Sequence, residues 1–380
     1  MDVVRQVKER FLENKQKVIE GKLVGLPIYE SFPRLGQFIP VIPPAIQIMF
    51  TANSGVGKSN SWVGIILLTV YKLKKKHPDR EFKFRFLISL LEDSKEDFIA
   101  KLYAALILLK HHERTDILEL NSRRGNPLPQ KIESKLDDVE EEINELLFYC
   151  EIVDSINNPT GLYKWGRAIS NKLGTHHTKE LDFTNDEGEI YKQEVYSHYI
   201  PNDPDEQVIW IIDNLNNLQM EYDKDAGRVL TERETINKWT RKYGRLQITK
   251  HWHWTVVNIM QQSAESEKPQ FDFRGNLIIE RCKPSLDGLG NSKECQRDHI
   301  LIFGIWAPNR YGITNYEGYN ITRLKDAYRS IIILKSNISE TNKEIPMYFD
   351  GATSVYKEYP KFEEMTEEIY KKVEKREVIP

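Results

Sequence analysis

The residues with the most chemistry in them are a pair of glycines followed by a lysine and a hydroxyl. The run Ala52-Asn53-Ser54-Gly55-Val56-Gly57-Lys58-Ser59-Asn60 follows the apolar segment IQIMF (46–50) and opens onto a helix-like stretch. To hold a phosphate with backbone N–H groups, a chain needs small residues so that it can curl around the anion, and a helix N-terminus adds positive potential. A lysine then reaches the β- and γ-oxygens, and a hydroxyl serves Mg²⁺. Gly55, Gly57, Lys58 and Ser59 meet these needs. The run therefore reads as a phosphate loop for ATP and Mg²⁺, with Ala52 through Asn60 as the nucleotide-binding residues. Ala52 stands where the pattern usually has its first glycine, a difference of one methyl group.

Metal and water need carboxylates. VIWIIDNLNNL (208–218) is an apolar strand candidate ending in Asp213. At the carboxyl edge of an α/β sheet this carboxylate lies beside the phosphate loop, where it and Ser59 would hold Mg²⁺. In FRFLISLLEDSKEDF (84–98) an apolar strand gives way at Glu92 to a polar turn. Glu92 is the candidate general base for the attacking water. Glu92, Asp93 and Ser94 also read as the cap of the next helix, and the two roles are compatible.

These residues require a scaffold that brings several strand ends together. Strand signals fall at 46–50, 84–90, 149–153, 207–213, 254–260, 299–304, 330–335 and 345–349, with helical patterns at 58–76 and 94–110. Alternation of this kind predicts an α/β fold with a mainly parallel sheet and crossover helices. At 380 residues and 40% apolar composition the chain is long enough for one enlarged domain. We expect a helical arm at 1–24, the main domain at 25–357 and a tail at 358–380. Two segments read as peripheral insertions: 111–147, with an acidic amphipathic helix, and 176–205, a hairpin turning near Glu187-Gly188.

The bulk charge, 54 Lys+Arg against 57 Asp+Glu, is nearly balanced, so a nucleic-acid site would have to be local. Three scattered cysteines and no apolar leader predict a cytoplasmic, soluble protein without a membrane partner. Cys282, Cys295 and His299 have a spacing that fits no standard zinc module.

Taken in order, these elements resemble the RecA-like motor (ATPase) domain of DnaB-type replicative helicases, from about Gly25 to Tyr356. SLLEDSKEDF is similar to that family's strand ending in the catalytic glutamate, and WIIDNLNNL to its metal-binding strand. TERETINKWTRKYGRLQITKHWHWTVVNIMQQ resembles the helix and strand ending in the polar sensor, which implies Gln261, with Gln262 beside it. LDGLGNSKECQRDHILIFGIW resembles the loop and strand that follow. RSIIILKSNISETNKEIPMYFDGATSVYKEY resembles the closing C-terminal β-hairpin, in which Lys335 matches the lysine that reaches the neighbouring subunit's ATP. The resemblance implies the RecA-like P-loop NTPase fold, ATP hydrolysis shared between subunits of a hexameric ring, and translocation on single-stranded DNA.

In that family the loops corresponding to 219–233 and 263–297 face the central channel. The second holds Lys268, Arg274 and Lys283 among aromatic residues, a mixture suited to phosphates and stacked bases. Two features depart from the family pattern. Asn337 stands where an arginine finger is expected, leaving Arg310, Arg323 or Arg329 to replace it. The family's amino-terminal domain has no counterpart here, and residues 3–21 resemble the linker helix that docks on the adjacent motor. Two other functions fit the same residues: a RecA-type recombination or repair ATPase, and a nucleotide-binding structural or loading protein with weakened hydrolysis.

Overall fold

The computed structural model describes residues 3–185, 187–377 and 379. The expected arm and tail therefore include residues 1, 2, 378 and 380, which lie outside the described residues, as 186 does within the second insertion. One nine-stranded sheet dominates. Its strands are β1 (Gln47–Ala52), β2 (Phe84–Leu90), β3 (Cys150–Val153), β4 (Gln207–Asp213), β5 (Thr255–Gln261), β6 (Leu301–Trp306), β7 (Tyr328–Ser336), β8 (Glu344–Asp350) and β9 (Val355–Glu358). Across the sheet the order is β9-β8-β7-β6-β1-β5-β4-β2-β3. The six strands from β6 to β3 run parallel, and β7, β8 and β9 close one edge antiparallel.

The central strands are buried on both faces, which is why they read as nearly unbroken apolar runs. In β1, side chains alternate between two cores: Ile48, Phe50 and Ala52 face one and Met49 the other. The first core is covered by the helix over 58–76, by the helix Lys95–His111 and by Gln130–Leu147. The sequence predicts this last helix as part of a peripheral insertion. It instead puts Ile132, Val139, Ile143 and Leu146 into the core, so its apolar stripe is part of the fold. The second core gathers Trp210, Trp239, Trp252 and Trp254 beneath the helix Pro159–Leu173.

Gly174–Thr184 and Ile190–Pro201 form a long antiparallel hairpin, with Phe183 opposite Tyr191 near its tip. The helix Val3–Ile19 buries no side chain, and Phe11, Leu12, Val18 and Ile19 are exposed along it. Lys17 anchors it to Asp205 at 2.8 Å. Among the described residues no helix is long and apolar enough to cross a membrane.

Candidate nucleotide site

Strand β1 ends at Ala52 and the chain turns through 53–57 into the helix that starts at Lys58. The turn needs left-handed backbone at two places, and glycine occupies both: φ is +66° at Gly55 and +99° at Gly57. At Gly57 space also excludes a side chain, since a Cβ would lie 2.5 Å from Cζ of Phe349. The Gly55 and Gly57 N–H groups meet no acceptor among the described residues. An oxyanion in this turn would find unspent donors, so the cradle fits a phosphate chain.

The metal-binding candidates converge here. Ser59 Oγ donates to Asp213 Oδ1 at 2.9 Å, and Trp62 Nε1 donates to Oδ2 at 2.8 Å. Asp213 is 3% exposed, and burial pushes its carboxyl up to about 6 against those two hydrogen bonds. A hydroxyl and a carboxylate in contact form a hard-oxygen pair suited to Mg²⁺. No sequence pattern pointed to Trp62, which lies one helical turn beyond Lys58 and fixes the carboxylate from behind.

Glu92 follows β2, and its Oε2 lies 3.6 Å from Lys58 Nζ. The same oxygen accepts from Nδ2 of Asn214 at 2.6 Å. Asn214 directly follows Asp213, so one turn after β4 both presents the candidate metal-binding carboxylate and orients the candidate base. Ser94, not Glu92, caps the helix Lys95–His111, accepting from the Asp97 N–H at 3.1 Å. Glu92 is thereby left out of the cap.

Gln261 ends β5 in register with Ala52, and its N–H is accepted by Asn216 Oδ1 at 2.8 Å. With Asn216, Arg233 and Ser263 it lines a cavity of about 510 Å³. Gln262 is spent inside: its amide nitrogen donates to Thr51 Oγ1 and the Ser285 carbonyl, and its oxygen accepts from the Ser285 N–H. Of the two glutamines, only Gln261 presents its side chain to the cavity without such bonds.

Lys335 is not brought to this cradle. It pairs with Ile302, which pairs with Met49, so it sits two strands across and three residues back from Ala52. That is roughly 10 Å in each direction. Its ammonium donates to the carbonyls of Gln296 at 2.6 Å and His299 at 2.7 Å.

The structure separates the three arginines. Arg323 is engaged by Glu367 and Glu374 on the surface. Arg329 is buried and bonds the Val56, Asp326 and Tyr328 carbonyls, bracing the phosphate loop from below. Arg310 is exposed and donates to the Ser54 carbonyl at the loop's mouth.

On the loop at 263–297, Lys268 and Arg274 face solvent, as does Phe273 at 92% exposure. Lys283 corrects the expectation that groups it with them. Its side chain is 10% exposed and is paired with Glu280 at 2.7 Å and Glu344 at 2.6 Å. Composition marked it as a phosphate contact, but tertiary pairing has already spent its charge.

No family model matches the sequence, and no curated protein matches it. Solved structures do. The ATPase domain of G40P superposes with a TM-score of 0.64 at 13% identity, covering 95% of this chain and 100% of that one. A DnaB-like replicative helicase, described with its interactions with primase, superposes with a TM-score of 0.60 at 14% identity, covering 93% of this chain and 66% of that one. The chain has the RecA-like α/β fold of the ATPase domain of DnaB-type helicases.

Proposed function

We propose that this chain is an ATP-hydrolysing motor of the DnaB-like helicase type, which binds Mg-ATP and moves on single-stranded DNA as a homo-oligomeric, hexameric ring. The observation that carries the reading is the convergence of Lys58, Ser59, Asp213 and Glu92 at the carboxyl end of the sheet, with Ser59 and Asp213 2.9 Å apart and Lys58 and Glu92 3.6 Å apart. The 53–59 backbone binds the phosphates, and Lys58 neutralises charge on the β- and γ-oxygens. Ser59 and Asp213 would hold Mg²⁺, which supplies further charge neutralisation when bound. Glu92 takes the proton of the attacking water, and Asn214 fixes the carboxylate for that task. Gln261 reports the state of the γ-phosphate to the loop that follows it. Lys335, too far from its own cradle, acts on the nucleotide of the adjacent subunit. Lys268 and Arg274 contact the DNA backbone.

Steady-state hydrolysis with and without single-stranded DNA tests the reading, and mixed subunits test the sharing. Lys335→Ala and Lys58→Ala chains are each expected to be inactive. On subunit exchange their mixture should regain partial activity, because some interfaces then pair an intact Lys58 with an intact Lys335. A fully active Lys335→Ala protein whose specific activity does not fall on dilution contradicts shared catalysis. Absence of hydrolysis in the wild type under all conditions contradicts the motor.

A further inference from the structure

The phosphate loop is in contact with a carboxylate of its own chain. Glu267 Oε1 accepts from the Ser54 N–H at 2.6 Å. Ser54 belongs to the run of backbone that the cradle offers to an anion, so Glu267 holds a donor of the kind a phosphate oxygen needs. The contact is reinforced by two neighbours from the loop after β6. Tyr311 donates its hydroxyl proton to the Glu267 carbonyl at 3.2 Å and accepts from Asn53 Nδ2 at 2.6 Å. Arg310 holds the carbonyl of the same Ser54.

Beyond Glu267 the chain runs into a small exposed hairpin. Phe271 bridges to Leu277, and the Asp272 carboxylate accepts from the Arg274 and Asn276 N–H groups at 2.8 and 2.9 Å. Phe271 and Phe273 project from it, 61% and 92% exposed. This hairpin is organised by its own bonds, and Glu267 at its root grips the phosphate loop.

We infer that Glu267 is a built-in competitor of the triphosphate, tying the 263–278 loop to the phosphate loop until nucleotide displaces it. The inference rests on the reading of 52–60 as a triphosphate site. A triphosphate carries several negative charges into the cradle, and a carboxylate bonded at its mouth is repelled as they arrive. Losing the Ser54 N–H, Glu267 releases the root of the hairpin. The coupling is reciprocal: a polyanionic single strand that draws Lys268 and the hairpin away from Ser54 strengthens nucleotide binding by the same factor.

The test is an equilibrium titration of a non-hydrolysable ATP analogue with Mg²⁺ and no DNA, run on the wild type, Glu267→Ala and Glu267→Gln. Glu267→Ala should bind roughly five- to tenfold more tightly, within the usual range of coupling between sites. Glu267→Gln keeps an acceptor but loses the charge and should fall between the two. Amide exchange over 264–278 gives a second readout: faster on nucleotide binding in the wild type, and already fast in nucleotide-free Glu267→Ala. Wild-type protein that binds no nucleotide sinks the reading of the site and this inference with it. Normal wild-type binding with unchanged or weaker affinity in both variants overturns this inference alone, as does loop exchange that is indifferent to nucleotide.

Discussion

Two loops leave the carboxyl end of the sheet within contact of one another, and they are held in opposite ways. The phosphate loop is fixed from several sides: Phe349 fills the space beside Gly57, Arg329 bonds the Val56 carbonyl, and Trp62 and Ser59 both bond Asp213. The 263–278 loop meets the phosphate loop through Glu267 and Tyr311 and carries its aromatic side chains into solvent. Preorganisation suits a site that must stabilise charge in a transition state, because donors already in place cost no reorganisation. The 263–278 loop instead presents exposed Phe271 and Phe273 and is tied to the phosphate loop through Glu267. Under the proposed function, the contrast would divide the work between a preorganised site for chemistry and an exposed loop for contact with DNA.

The contrast is broken most severely by Glu92→Gln. The substitution keeps size and the hydrogen bond from Asn214, so ATP binding should persist while turnover falls by roughly 10²-fold or more. Turnover at the wild-type rate in single-turnover measurements would leave Glu92 without a role in the chemistry.

Asp213→Asn sharpens the same side of the comparison. With its pKa raised from 3.8 to about 6, Asp213 binds a proton more readily folded than unfolded. Its contribution to stability is therefore least harmful below about pH 4, and its cost grows through pH 6 and is complete above. The amide should stabilise the nucleotide-free protein by about 1–3 kcal/mol at pH 7 to 8 and flatten the pH dependence of stability between 4 and 6. Mg-dependent nucleotide binding should weaken at the same time. Denaturant titrations across that pH range check it, and a destabilised variant at pH 8 would contradict it.

Opposite behaviour is expected of the 263–278 loop. Replacing Lys268 and Arg274 with neutral residues should leave thermal stability unchanged within about 0.5 kcal/mol, since both are exposed. Single-stranded DNA binding should weaken, and the log–log salt slope should drop by about 0.7 for each lost phosphate contact. An unchanged slope would put the DNA elsewhere.

What was legible in the sequence follows from how local each signal is. The strand, the turn and the helix around Gly55, Gly57, Lys58 and Ser59 are contiguous, so this strand–turn–helix conformation could be read from spacing alone. The parallel sheet was legible because strands buried on both faces leave unbroken apolar runs. The supports were not: Phe349, Arg329 and Arg310 reach the loop from about 250 residues or more away in the chain, and nothing in their neighbourhoods announces it. Lys283 failed for the same reason in reverse, because its pairing with Glu344 is a tertiary fact. Asn214 could have been found, since a polar amide directly after Asp213 is well placed to touch whatever lies at the end of β2. The helix Gln130–Leu147 is hard to place from sequence because its acidic composition masks an apolar stripe of ordinary helical spacing.

The central claim is that the 52–60 loop binds a nucleoside triphosphate through Lys58. Its most direct test is an equilibrium titration of fluorescent ATP with Mg²⁺ against the wild type and Lys58→Ala, with folding of both checked by circular dichroism. The account predicts saturable binding to the wild type and none that can be measured in the variant, because the removed ammonium is the cation bridging the β- and γ-phosphates. Equal affinity in the two folded proteins would contradict it.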